Sequence, residues 1–138
     1  MVIALFNILA LSFDRMGKEP PIIWDVLTVE SGGVSLFAAV RGIVEEHYTL
    51  EEVDETTGRM ETAWLVERET KGRFRFVIVV EPGIVHVGRE IVSPPKGDAA
   101  DDVYGSMLFF FLGIANKERD KILEYIREGL TLTEEPEN

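Results

Sequence analysis

RMETAWLVERETKGRFRFVIVVEPGIVHVGREIV, residues 59–92, carries three strand signals in succession, and the rest of the chain is arranged around them. Thr62, Trp64 and Val66 alternate with charged or small neighbours, and Phe74, Phe76, Ile78 and Val80 do the same further on. A period of two belongs to strands. Thr70-Lys71-Gly72 reads as a three-residue hairpin loop with Gly72 at its left-handed position. That register sets Glu69 opposite Arg73 and Glu67 opposite Arg75, and stacks Val66 on Phe76 and Trp64 on Ile78. Glu81-Pro82-Gly83-Ile84 then offers Pro at the second and Gly at the third position of a turn, which brings Ile78 beside Val87, Phe74 beside Ile91 and Arg75 beside Glu90. A slip of one residue would lose all of these pairs.

Upstream, Thr49 to Glu55 resembles a capping box as much as a strand. The Thr56-Thr57-Gly58 turn favours a short edge strand that would set Leu50 beside Trp64. Leu36, Phe37, Val40, Ile43, Val44, His47 and Tyr48 fall at helical spacing, with Ser31-Gly32-Gly33 breaking the chain before them and supplying an N-cap. Gly42 inside this helix costs about 1 kcal/mol relative to Ala, which implies a close neighbour there. Residues 2–13 are apolar at both parities and fit a strand or a buried helix; Val2, Ile3, Phe6 and Ile8 favour the strand. Residues 2–29 then form a hairpin, its first strand covered on both faces and its second outermost, because Pro20 and Pro21 lack the amide donors an interior strand needs.

Downstream, Ser93-Pro94-Pro95-Lys96-Gly97 ends the sheet. Asp98 is placed to cap a helix that runs to about Leu112, with Asp101 and Asp102 at its positive end. Gly113 and Asn116 break it, and a second helix follows from Lys117 to Glu128 with Gly129 as its stop. The expectation is an α+β domain over residues 1–130: a β-hairpin, a helix, a β-meander and two C-terminal helices, in an antiparallel five- or six-stranded sheet with helices on both faces. Residues 131–138 form a mobile acidic tail.

Composition narrows the function. The net charge of -11 repels phosphate backbones and anionic headgroups, so nucleic acid is not an expected partner. The absence of Cys excludes disulfides, thiolate chemistry and cysteine-ligated metals. Abundant Glu, rare Asn and no Gln suggest a thermophilic source. The first thirteen residues lack a basic n-region and a small-residue cleavage site, and Val103 to Ala115 is too short to cross a bilayer, so a cytoplasmic protein without membrane insertion is expected.

Glu45-Glu46-His47 is the densest titratable cluster, of the residue types that hold metals or move protons. Adjacent helical residues point in different directions, and no second His stands at i+4, so His47 reads first as part of the apolar stripe. His86 should lie across from Val79, on the sheet face opposite Phe74 and Ile78. The glycines form no phosphate loop, no Ser stands in a nucleophile elbow, and Arg59, Arg68, Arg73, Arg75 and Arg89 face enough glutamates to be read as cross-strand pairs. Neither a metal nor a cofactor is expected. Met107 to Leu112, six apolar residues in a row, exceeds what a helix packed on one face requires. The surplus is either covered by both the sheet and the final helix, or is an interface carried by Tyr104, Met107, Phe110 and Phe111.

The order of elements resembles the longin and roadblock families, small α+β domains with a five-stranded sheet flanked by helices. The likeness lies in Asp14-Arg15-Met16-Gly17-Lys18-Glu19-Pro20, similar to their Asp-x-x-Gly-Lys-x-Pro turn, and in the helical pair split at Gly113. The resemblance implies a non-catalytic module that binds a protein partner or a second copy of itself, in assemblies with small GTPases or trafficking machinery. Two alternatives stand beside it: a small-ligand binder or enzyme with a pocket near His47, using Glu45 and Glu46, and an acidic chaperone-like dimer.

Overall fold

A computed structural model describes residues 3–10, 22–29 and 35–134 of the chain, the first of these runs by its backbone. The elements are β1 (Ile3–Ala10), β2 (Ile22–Val29), α1 (Leu36–His47), β3 (Leu50–Asp54), β4 (Arg59–Thr62), β5 (Leu65–Val66), β6 (Arg73–Glu81), β7 (Ile84–Val92) and α2 (Asp101–Glu134). The class is α+β. All strand pairs are antiparallel, in the order β1-β2-β7-β6-β4-β3, and β5 continues the place of β4 beside β6. Seven segments thus occupy six positions.

The β6–β7 hairpin has the expected register, with Ile78 on Val87, Phe74 on Ile91 and Arg75 on Glu90. Gly83 supplies the positive φ of 75° that its turn demands. The turn is also fastened to β2, whose Val29 amide donates to the Gly83 carbonyl at 2.8 Å. This places β2 inside the sheet and β1 at its edge, the reverse of the expected order. Leu27 and Val29 are buried on one face of β2 and Val26 on the other, as befits an interior strand. Pro20, Pro21 and the Asp14–Pro20 turn lie outside the described residues.

The neighbouring hairpin differs from its expected register. Val66 pairs with Arg73 and Leu65 with Phe74, whereas Met60 pairs with Ile78, so one residue is gained between β4 and β5. The cause is a bulge at Ala63-Trp64, where the Thr62 hydroxyl accepts the Phe76 amide at 3.0 Å in place of a backbone carbonyl. Side-chain parity inverts across it: Leu65 joins the core and Trp64 turns to the opposite face. The loop is correspondingly longer and closes on Glu67, whose carboxylate accepts the amides of Glu69 and Thr70. Lys71, not Gly72, holds the left-handed conformation, at φ 69°. A side chain at Gly72 is barred for another reason: a Cβ there would stand 2.6 Å from the Phe111 ring.

β3 forms as expected, although Leu50 lies beside Thr62 and not Trp64. The α1 cap is Ser35, whose hydroxyl accepts from the Ala38 amide; Ser31 lies outside the described residues. Gly42 is exposed with nothing close to it. The intimate approach occurs instead at Gly129, where a Cβ would meet Ile43 at 2.5 Å and where α1 crosses α2.

Both helices pack on one face of the sheet, and no described helix lies over the other. Val40, Ile43 and Val44 of α1 and Phe111, Ala115, Ile122 and Ile126 of α2 share a single core with Phe74, Phe76, Ile78, Val85 and Val87. α2 is one helix of 34 residues, unbroken at Gly113 and Asn116. An interior glycine costs only about 1 kcal/mol, less than the buried packing of Phe111 and Ala115 on either side returns. The helix starts at Asp101 rather than beside Asp98 and continues through Thr131 to Glu134, where a tail was expected; residues 135–138 lie outside the described residues.

Candidate functional site

The first half of α2 contains no buried residue before Phe111, and from Val103 to Asn116 it carries no charged side chain. Val103 is 52% exposed, Phe109 83%, Phe110 46% and Leu112 42%. Isolated exposed leucines are ordinary, but four large apolar side chains within ten residues of one helix form a patch. The helix is held at this end by two polar contacts. Tyr104 donates its hydroxyl proton to the Pro94 carbonyl at 2.5 Å, and Lys96 reaches the Asp101 carboxylate at 3.2 Å. These anchor the N-terminal turn without covering it.

Of the four interface candidates, Phe110 lies in the exposed patch. Tyr104 and Met107 are half-buried at its margin. Phe111 is a core residue, fully buried against Phe74 with ring centroids 6.2 Å apart. The six-residue apolar run therefore divides by helical phase, and Phe109 faces solvent where Phe111 was expected. No helix of the described residues is long and apolar enough to cross a membrane.

Glu45, Glu46 and His47 do not converge. Glu45 pairs with Arg41 at 3.5 Å on the solvent side. Glu46 and His47 line an open groove of about 310 Å³ between the helices, with Ile43, Tyr125, Glu128 and Gly129. The His47 ring is stacked on Tyr125, centroids 3.7 Å apart and planes 3° from parallel, so its flat face is already occupied. At the C-terminal cap of α1, Tyr48 donates to Glu118 of α2 at 2.7 Å. Burial first, and that hydrogen bond second, push the Tyr48 phenol well above its usual range and keep it neutral. Among the described residues no group of three acidic or histidine side chains could hold a metal ion.

Two polar clusters lie in the sheet, the first of which escaped the sequence and the second of which was legible in part. Beneath α2, Asp25 and Arg89 are buried in the sheet face, and Arg89 donates to Asn116 at 2.7 Å. Burial raises the Asp25 carboxyl, with Arg119 and Arg89 opposing, and burial lowers Arg89. One Asp25 oxygen and the Arg89 Nε have no hydrogen-bond partner among the described residues. On the opposite face, Arg75 bridges Glu61 at 3.0 Å and Glu90 at 3.2 Å, and Arg59 reaches Glu61 at 3.0 Å. The guanidinium groups of Arg73 and Arg75 stand 4.8 and 4.7 Å from the Trp64 ring, a position the bulge alone makes possible. His86 lies opposite Val79 on this face, as its register requires, and meets Trp24 edge-on at 6.1 Å. The Arg75–Glu90 pair was legible in the sequence. Asn116 and Trp24 gave no periodic signal that could have assigned them partners, and Trp64, which its alternation set on Ile78, lies against Arg73 and Arg75 instead.

The sequence matches no family model and no curated protein, so its chemistry has to be read from its own residues.

Proposed function

We propose that the protein is a non-catalytic interaction module of the kind the longin and roadblock resemblance implies, which associates with protein through the outward face of the first half of α2. The observation that carries this is the exposure of Phe109, Phe110, Val103 and Leu112 on a helix whose next residue inward, Phe111, is fully buried. An apolar surface of this kind is costly in water and is relieved by a partner. The charge of -11 argues against an anionic membrane as that partner. A pocket near His47 has less in its favour, since the imidazole is committed to Tyr125 and Glu45 faces away.

Light scattering on the eluting protein over a range of concentrations tests the proposal. Association beyond the monomer should be present, and Phe109→Glu should abolish it without lowering the melting temperature of the dilute, monomeric protein. A chain that stays monomeric throughout, and whose Phe109→Glu variant is indistinguishable from it, refutes the reading.

A further inference from the structure

The pattern of residues on the outward face of α2 points to its occupant. Asp102, Ser106, Phe109, Gly113 and Lys117 follow one another at spacings of four, three, four and four, which keeps them on one side of the helix. All five are exposed, in agreement with that phase. Read forward, the stripe runs acid, small residue, aromatic, small residue, base. Read backward it is its own complement. Among the described residues neither the Asp102 carboxylate nor the Lys117 ammonium belongs to an ion pair, although Asp101 does and Lys121 is within 3.8 Å of Glu118.

We infer that the surface is occupied by a second copy of this chain, whose α2 lies antiparallel across the first about a two-fold axis between Phe109 and Phe110. In that arrangement Phe109 of each copy meets Phe110 of the other, Ser106 meets Gly113, and Asp102 meets Lys117. The same contacts occur twice, as an isologous interface requires. Gly105 and Gly113 have nothing within 4 Å of where a side chain would begin, leaving depressions on either side of Phe109 for the partner's rings. Beyond Lys117 the outward face is charged, with Asp120 paired to Arg119 and Glu124 to Arg127, and this limits the contact to the uncharged segment.

A contact of fourteen residues is about 21 Å long. One helix pair of that length buries less than the roughly 1,200–2,000 Å² of a standard stable interface, so the dimer is reversible and concentration-dependent. The exposed Asp102–Lys117 pairs fix the register and direction more than the affinity.

This inference rests on the proposed docking role of α2, and the following experiment separates the two. The chain has no cysteine, so Asp102→Cys and Lys117→Cys can be introduced singly and together. Within one helix these positions are about 22 Å apart, far beyond the roughly 7 Å limit between disulfide-bonded Cα atoms, and any bridge between them is intermolecular. Under mild oxidation the double variant should give a covalent dimer on a non-reducing gel, and each single variant should not. Asp102→Lys and Lys117→Asp should each weaken association several-fold, and the two together should restore it. Circular dichroism melting confirms that every variant is folded. Cross-linking by the single variants would show parallel pairing and overturn the inference, as would a double variant that never cross-links or a charge exchange without rescue. If Phe109→Glu still abolishes association in those cases, the docking role stands and only the antiparallel pairing falls. If the wild-type chain never associates, both fall.

Discussion

Replacing Phe111 and Phe109 by alanine in separate variants tests the phase of α2, on which every functional conclusion depends. The two residues are neighbours but one, yet Phe111 is fully buried and Phe109 is 83% exposed. Removal of a buried phenyl ring costs about 3–5 kcal/mol, through lost burial and the cavity left behind. For a domain whose total stability is about 5–15 kcal/mol, that is about a fifth or more of the whole. Phe109→Ala should change monomer stability by no more than about 0.5 kcal/mol. The Gly72 contact adds an internal check. A Cβ at Gly72 would stand 2.6–2.9 Å from three atoms of the Phe111 ring, so Gly72→Ala alone should cost about 1–3 kcal/mol by overpacking. In the Phe111→Ala background the same methyl enters vacated space and should cost little, giving a coupling energy of at least about 1 kcal/mol. Urea titrations at concentrations low enough to keep the chain monomeric supply all four corners of the cycle. Additive costs for Gly72→Ala and Phe111→Ala, or a Phe109→Ala variant as unstable as Phe111→Ala, would refute the assigned phase.

Three further outcomes are expected. Arg75→Met strands the buried Glu90 carboxylate and should cost about 3–5 kcal/mol in urea titration, with much of the loss recovered in the Arg75→Met, Glu90→Met double variant. Thr62→Val deprives the buried Phe76 amide of its acceptor and should cost about 1–3 kcal/mol, more than the same change at exposed Thr57. Asp25 has a carboxyl pKa raised above its ordinary value of 3.8, chiefly by burial. The folded state therefore holds this proton more tightly than the unfolded state, and the associated stability is present below the ordinary value and lost as pH rises through the raised one. Asp25→Asn should flatten that decline and raise the melting temperature at pH 7; a steeper decline would contradict the assignment.

Legibility followed the kind of signal each residue carries. Pro82 and Gly83 state a turn type outright, so the β6–β7 register and the Arg75–Glu90 pair could be read directly. The bulge at Ala63 could not, because it depends on the Thr62 hydroxyl entering the backbone ladder, and threonine is as common in regular strands. The order within the N-terminal hairpin was misread because Pro20 and Pro21, without amide donors, pointed to an edge for the strand that follows them, whereas β1 is the edge strand. Glycines misled in a regular way: Gly42, Gly113 and Gly129 are equivalent in a helical pattern, and only the crossing of α1 and α2 makes Gly129 the close contact. Phe109, Phe110 and Phe111 are likewise equivalent in a run of apolar residues. Their fates separate once the loop at Gly72 decides which ring has a place to go.

The unbroken course of α2 has a mechanical consequence. At about 1.5 Å per residue its 34 residues make a rod roughly 50 Å long, clamped over its second half by the sheet and α1. It has no proline, and its kink-prone step, Gly105-Ser106, lies near the exposed start, so a tilt imposed beyond that step acts as leverage on the fulcrum where Gly129 bears on Ile43. The stacked pair of His47 and Tyr125 sits beside that fulcrum and shares any displacement delivered to it from the far end.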